Sequence, residues 1–252
     1  MKNSFKKSLT LLFVFSLTLA TFGLLSSWDG LLVEWATMRE AIGQGQHQAR
    51  GTFAALNSKP HLFAVGAVVG LKGEATVFDG HLTATEVTCC GNLLPVEAEA
   101  SKKLEGTYVL GAYIENWETS SIESPLDSQS LEDHLRATAL GQPWKNAPAF
   151  PFLLEGELTN VKLHVINGVC PLHARLNQIE IAADKKPYEA NYERLQGRVV
   201  GFFADKSVGV RTHPDTSLHA HVIFKDPASG KEVTGHLERF SLGPDVRLRL
   251  PR

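Results

Sequence analysis

The stretch from Ser217 to Phe240 constrains the fold more than any other part of the chain. Two β-like runs, His219 to Phe224 and Thr234 to Phe240, flank Asp226-Pro227-Ala228-Ser229-Gly230. Those five residues favour a tight turn for separate reasons: Pro presets φ, Asp and Ser bond their own backbone, and Gly accepts positive φ. The spacing predicts a hairpin whose axis falls between Ala228 and Ser229. Lys225 then faces Glu232, Ile223 faces Thr234, and His221 faces His236. Residues two apart on a strand share a face, and so do directly opposed residues. His219, His221 and His236 therefore converge on one side of the hairpin. Three neutral imidazoles with one position left open are the ligand set of a catalytic zinc site. Glu238 falls opposite His219 on the same face, as an orienter of a ligand or a fourth ligand. An H-x-H pair alone would fit ordinary surface histidines. The third histidine, at a position the hairpin register dictates, favours the metal.

Composition sets the class around this hairpin. Of 252 residues, 25 are Lys or Arg and 27 Asp or Glu, for a net charge of -2. Interspersed charges of both signs give no electrostatic case for nucleic acid or for a polybasic membrane patch. A hydrophobic content of 43% is enough for a buried core and excludes a disordered chain. Three Cys cannot build a disulfide framework, and no C-x-x-C pair exists for a thiolate zinc site. Cys89 and Cys90 are adjacent, so a bond between them would be strained, while Cys170 could pair with either; inert thiols are the simpler expectation. His47, His61, His81 and His134 lack partners in the pattern and are expected to face solvent.

Lys2, Lys6 and Lys7 precede an apolar run from Leu9 to Leu25. A basic segment before such a run reads as a secretory signal over residues 1–27, with small-x-small cleavage patterns at Thr18-Leu19-Ala20 and Thr21-Phe22-Gly23. This predicts a secreted or periplasmic protein with no stable membrane insertion after cleavage. An uncleaved anchor is the alternative.

Beyond the signal, Leu31, Leu32, Trp35, Met38 and Ile42 recur with a helical period, and Asp29 and Gly43 suit the two ends of a helix. Strands are expected at Leu62–Val69, Glu74–Phe78, His81–Thr88 and Tyr108–Ile114. A helix over Ser130–Leu140 is expected to begin at Ser130, with Glu132 and Asp133 in its first turn. The Pro-marked connector Gln142–Pro148 separates an N-terminal mixed-sheet domain (28–147) from a C-terminal β-rich, metal-binding domain (148–252). There the strands are Phe152–Leu158, Val161–Ile166, Arg198–Phe203, His219–Phe224 and Thr234–Phe240. The expected class is a two-domain α/β fold, with mostly antiparallel or mixed sheets, a few helices, and the metal site on the C-terminal hairpin.

Several stretches resemble the α-acetolactate decarboxylase family. They are Trp35-Ala-Thr-Met-Arg-Glu-Ala-Ile42, Ala64 to Gly80, Glu155 to Lys162, Leu195 to Phe202, His219-Ala-His221 and Thr234 to Phe240. The resemblance implies a carbon–carbon lyase that converts 2-acetolactate to acetoin and carbon dioxide, often as a homodimer. It implies Zn2+ held by His219, His221 and His236, and a small 2-hydroxy-3-oxo acid as the bound partner. Glu74 matches a Gly-Glu position and is the candidate acid or water-orienting group. Where the family carries a Lys-Thr-Arg triplet that grips the substrate carboxylate, this chain has Lys162-Leu163-His164. His164 lacks the guanidinium fork, so substrate binding passes to His164 and Lys162. The family's C-terminal Glu has no counterpart here. A relative that binds zinc or a keto acid without turnover is the competing expectation.

Overall fold

The computed structural model describes residues 32–56, 60–120, 122 and 126–252. The expected export signal and the Asp29 cap lie outside them. A continuous apolar run such as Leu62–Val68 can form a strand only if both of its faces are covered, and this one has all seven residues buried. Phe63, Val65 and Ala67 face the main core, while Leu62 and Ala64 face a smaller cluster around Phe53 and Leu56.

That run is β3 of the first sheet. β1 (Leu32–Trp35), β2 (Gly51–Thr52), β3 (Leu62–Val68), β4 (Gly73–Phe78), β5 (His81–Val87), β6 (Leu93–Pro95) and β7 (Glu105–Tyr113) assemble in the order β1-β7-β3-β4-β5-β6. β2 joins beside β7, the single-turn helix α1 (Phe53–Leu56) follows β2, and α2 (Ala98–Ser101) links β6 to β7 along the chain. The second sheet contains β8 (Trp117–Ser120), β9 (Phe150–Val165), β10 (Tyr188–Phe203), β11 (Leu218–Lys225), β12 (Glu232–Leu242) and β13 (Arg247–Pro251), in the order β10-β11-β12-β9-β13-β8. β9 also pairs with β10, so β9, β10, β11 and β12 form a closed ring of pairings. Every pairing among the described strands is antiparallel. The two sheets share one core, in which Phe63, Val65 and Leu110 of the first pack with Phe152, Val200 and Val222 of the second.

The hairpin forms in the expected register: Lys225 pairs with Glu232, Ile223 with Thr234 and His221 with His236. Asp226 closes the turn, its carboxylate accepting from the Ala228 and Ser229 amides.

Other expectations need correction. The helix expected over 29–42 is instead strand β1 followed by a five-residue π-helical turn, Arg39–Gly43. Pairing of β1 with β7 and the packing of Trp35 on Phe53 outweigh the helical period. Helix α3 (Ser128–Ala139) begins earlier than expected, because Asp127 caps it by accepting from the Ser130 amide. The strands expected at 152–158 and 161–166 are one strand, β9, which keeps its pairing through Asn160 at φ 50°. A shorter helix, α4 (Pro171–Asn177), follows β9 and opens on Pro171, where the missing amide costs nothing.

Candidate metal centre

Strand register places the site residues before any side chain is considered. His164 pairs with His236 across β9 and β12, and His236 pairs with His221 across β12 and β11. Three imidazoles thus stand in a row across three neighbouring strands, and His219 joins them two residues before His221. The face looks inward: His164, His219, His221 and His236 are all buried. The other alternation of β11, Leu218, Ala220, Val222 and Phe224, belongs to the main core.

One ligand atom from each of His219, His221 and His236 can be chosen so that all lie within 4.8 Å of one another. The first sheet orients two of these rings. His219 Nδ1 lies 3.1 Å from the Tyr108 hydroxyl, which itself donates to the Arg211 carbonyl at 3.1 Å. With its one proton used there, Tyr108 accepts from His219, which puts the His219 proton on Nδ1. His221 Nδ1 lies 3.2 Å from Thr76 Oγ1, which in turn bonds Thr234 Oγ1 at 2.6 Å. The two Nε2 atoms then face each other at 3.3 Å.

Burial, joined by the neighbouring imidazoles, pushes the titrations of His219 and His236 well below the usual histidine range and that of His221 down to about 3. Neutral rings that both carry their proton on Nδ1 would turn two buried Nε2 lone pairs toward each other. Buried acceptors without a donor are costly, and a cation between them removes the cost. The donor set fits zinc, which accepts neutral imidazole nitrogen.

Glu74, on β4, projects into the same pocket. Its carboxyl lies 3.5 Å from His221 Nε2 and 3.9 Å from His164 Nε2, and it accepts from the Ile166 amide at 3.4 Å. Burial raises its titration to about 8 against the opposing pull of that amide, so it holds a proton at neutral pH.

Glu238 is not opposite His219 as the hairpin predicted. β11–β12 pairing stops at His221 and His236, and β12 shifts register against β9 between Leu237 and Arg239, which leaves Glu238 as the extra residue of a bulge. The bulge turns it to His164, whose Nδ1 donates to Oε1 at 2.9 Å. Lys162 Nζ reaches its other oxygen at 2.7 Å, and Arg175 of α4 bonds it at 2.6 Å. Burial alone would raise the Glu238 titration, but the bonds from His164, Lys162 and Arg175 outweigh it and hold the carboxylate ionised. His164 itself titrates low because it is buried, despite the opposing pull of Glu238.

Three further groups line the pocket that the sequence did not assign to a site: Tyr108, Cys170 and His213. Cys170 is buried, and burial pushes its thiol up to about 12. Cys89 and Cys90 are exposed, and all three cysteines are free. Of the histidines expected in solvent, His81 is exposed, whereas His61 pairs with Asp79 at 3.1 Å and His134 contacts Ser120 at 3.4 Å. Among the described residues no helix is long and apolar enough to cross a membrane.

Fold and site together define a two-sheet β protein with a buried three-histidine centre between the sheets. The family model described as alpha-acetolactate decarboxylase matches residues 36–251, and the chain belongs to that family. Its fold is similar to the alpha-acetolactate decarboxylase of Bacillus subtilis strain 168, at TM-score 0.62 and 16% identity, covering 87% of this chain and 83% of that one. The acetolactate decarboxylase of Bacillus subtilis subspecies spizizenii is similar at TM-score 0.63 and 15% identity, with 88% and 86% covered. A Staphylococcus aureus protein of unknown function, itself described as similar to alpha-acetolactate decarboxylase, reaches TM-score 0.60 at 14% identity, with 88% and 84% covered. No curated protein sequence matches the chain.

Proposed function

We propose that this chain is an exported, zinc-dependent lyase that decarboxylates 2-acetolactate, or a close 2-hydroxy-3-oxo acid, to acetoin and carbon dioxide. The observation that carries this reading is the buried cluster of His219, His221 and His236, with the Nε2 atoms of the first two 3.3 Å apart. Zinc at these nitrogens would supply the Lewis acid that carbon–carbon cleavage beside a ketone requires.

The remaining roles belong to side chains. Glu74, protonated and facing the histidines, delivers the proton that the carbon takes up once carbon dioxide has left. Lys162 is the group assigned to the substrate carboxylate, and His164, assigned to it from the sequence, has no free proton to offer while neutral and bonded to Glu238. Glu238 holds the His164 ring with its proton on Nδ1, so the Nε2 lone pair points at Glu74. Tyr108 and Thr76 orient two of the proposed metal-binding rings through their Nδ1 atoms. We further propose a homodimer, as the family resemblance implies, and removal of residues 1–27 on export, as the basic segment before the Leu9–Leu25 apolar run suggests.

One observation favours a second reading, in which metal is bound without turnover. The cavity beside the histidines measures about 20 Å³, room for roughly one water, and Lys162 is already engaged by Glu238. Purified protein loaded with zinc and supplied with racemic acetolactate distinguishes the two. Acetoin formation that disappears in His236→Ala supports the lyase. One tightly bound zinc per chain with no acetoin supports the second reading, and no bound zinc removes both.

A further inference from the structure

Two cavities meet at the metal centre. The inner one, about 20 Å³, is bounded by Glu74, Tyr108, His164 and His219. An outer one of about 150 Å³ is bounded by Gln129, Glu132, Asp215, Thr216 and Glu238. Two residues line both: His213 and His236. They form the wall between the cavities, and their rings meet edge to face with centroids 5.3 Å apart.

The two halves of this wall are held very differently. His236 is pinned in the middle of β12 by pairing on both sides, to His221 and to His164. His213 lies in the irregular segment between the 3-10 turn Asp205–Ser207 and β11. That segment is closed through the backbone, where the His213 carbonyl accepts from Thr212 Oγ1 at 3.1 Å and from the Thr216 amide at 3.4 Å. The ring itself makes one polar side-chain contact among the described residues, Nε2 at 3.9 Å from the Cys170 sulfur. A thiol is a weak partner, so little polar bonding holds this ring, whereas His236 stands on a strand paired on both sides.

We propose that the His213 ring is the gate of the three-histidine pocket. In place, it closes the inner cavity, with His219 and its neighbour His221, off from the outer one. Rotated about χ1, it joins the two cavities and gives small solutes, the metal ion among them, a path to the nitrogens. His213 is therefore a positioning residue for access, not a ligand. Glu132 and Asp215 give the outer cavity an acidic lining, which suits the approach of a divalent cation.

The first test needs no metal and does not depend on the function proposed above. Metal-free protein is treated with diethyl pyrocarbonate, which transfers its ethoxycarbonyl group to an imidazole nitrogen with loss of ethanol and carbon dioxide. Acylation of His219, His221 and His236 is then followed by peptide mass mapping. His213→Ala opens the wall and should raise the rate at His219 and His221 about tenfold or more, with exposed His81 unchanged as the internal standard. His213→Phe keeps a ring in the wall and should stay within about threefold of the parent. If His213→Ala fails to fold, His213→Ser serves as the opening variant.

The second test uses zinc and rests on the metal reading. Opening a gate raises the rates of zinc uptake and of release to a chelator together and leaves Kd unchanged, whereas losing a ligand weakens Kd. Equal acylation rates in parent and opened variant would overturn the proposal. So would a His213→Phe variant as fast as His213→Ala, or a zinc Kd weakened about tenfold or more by His213→Ala.

Discussion

His164 and His236 stand directly opposite each other on β9 and β12, their rings stacked with centroids 4.8 Å apart. The pairing ties the strand that carries Lys162 and His164 to the three-histidine hairpin, so the candidate substrate groups and the candidate ligands belong to one rigid face. Glu238 secures it from behind, through His164 and through Arg175 of α4.

Zinc should stabilise the protein through this face. At a free zinc concentration about 100 times Kd the gain is about 2.7 kcal/mol, read as a rise in Tm. In His236→Ala the rise should vanish. A rise of the same size in that variant would exclude the three-histidine site.

Tyr108 should matter to metal affinity although it touches no metal. Tyr108→Phe removes the oxygen that accepts from His219 Nδ1 and should weaken zinc binding about 10-fold or more. Competition with a chromogenic chelator measures this. An unchanged Kd would show that the His219 ring is held by its surroundings alone.

Glu238→Gln should destabilise the fold. The variant loses the carboxylate that joins His164, Lys162 and Arg175, leaving cations around a neutral amide. Lys162 and Arg175 are partly solvated, so the expected loss is about 2 kcal/mol, below the range for a fully buried pair. Urea unfolding of the metal-free protein reads it directly.

Gly201 should tolerate no side chain. A Cβ there would lie 2.2 Å from Cζ of the Phe152 ring on the paired strand, and both residues lie within the core sheet. Gly201→Ala should cost about 1–3 kcal/mol by overpacking, and Gly201→Ala with Phe152→Leu should recover part of it. A neutral single variant would mean that the ring moves freely.

Acid sensitivity should include a contribution from Asp205. The hydrogen bond from Arg136 holds its carboxyl below the usual range, against a smaller opposing effect of burial. A lowered folded titration gives stability that is fully present above the unfolded value of about 3.9 and is lost as pH falls through the folded one. Both side chains are substantially exposed, so the amount is a few tenths to about 1 kcal/mol. Asp205→Asn should flatten the stability profile below about pH 4, measured by urea midpoints. A profile identical to the parent would show that the pair contributes nothing.

How much of this was legible in the sequence can be argued residue by residue. The hairpin register was readable because Asp226, Pro227, Ser229 and Gly230 each favour the turn through local chemistry, and a strand period of two then carries the three histidines to one face. Glu74 and His164 entered through family resemblance rather than spacing. Glu238 was placed on the wrong partner because a bulge adds one residue without any local signature, and the hairpin argument assumes none. Residues 29–42 read as a helix because apolar spacing at 31, 32, 35 and 38 does not register an unpaired sheet edge waiting at β7. Tyr108, Cys170 and His213 carry no motif and meet the site from three separate segments. The one available signal was that six of the ten His fall between 164 and 236, His213 among them.

By itself the sequence determined what is local: which segments are strands, where the hairpin turns, and that three imidazoles share a side. Only the tertiary structure decided that this side faces inward onto a second sheet. Packing against Tyr108 and Thr76 strips the imidazoles of water, which keeps them neutral, and Tyr108 fixes the tautomer of His219. Burial is a property of what lies across the interface, and no spacing along one strand encodes it.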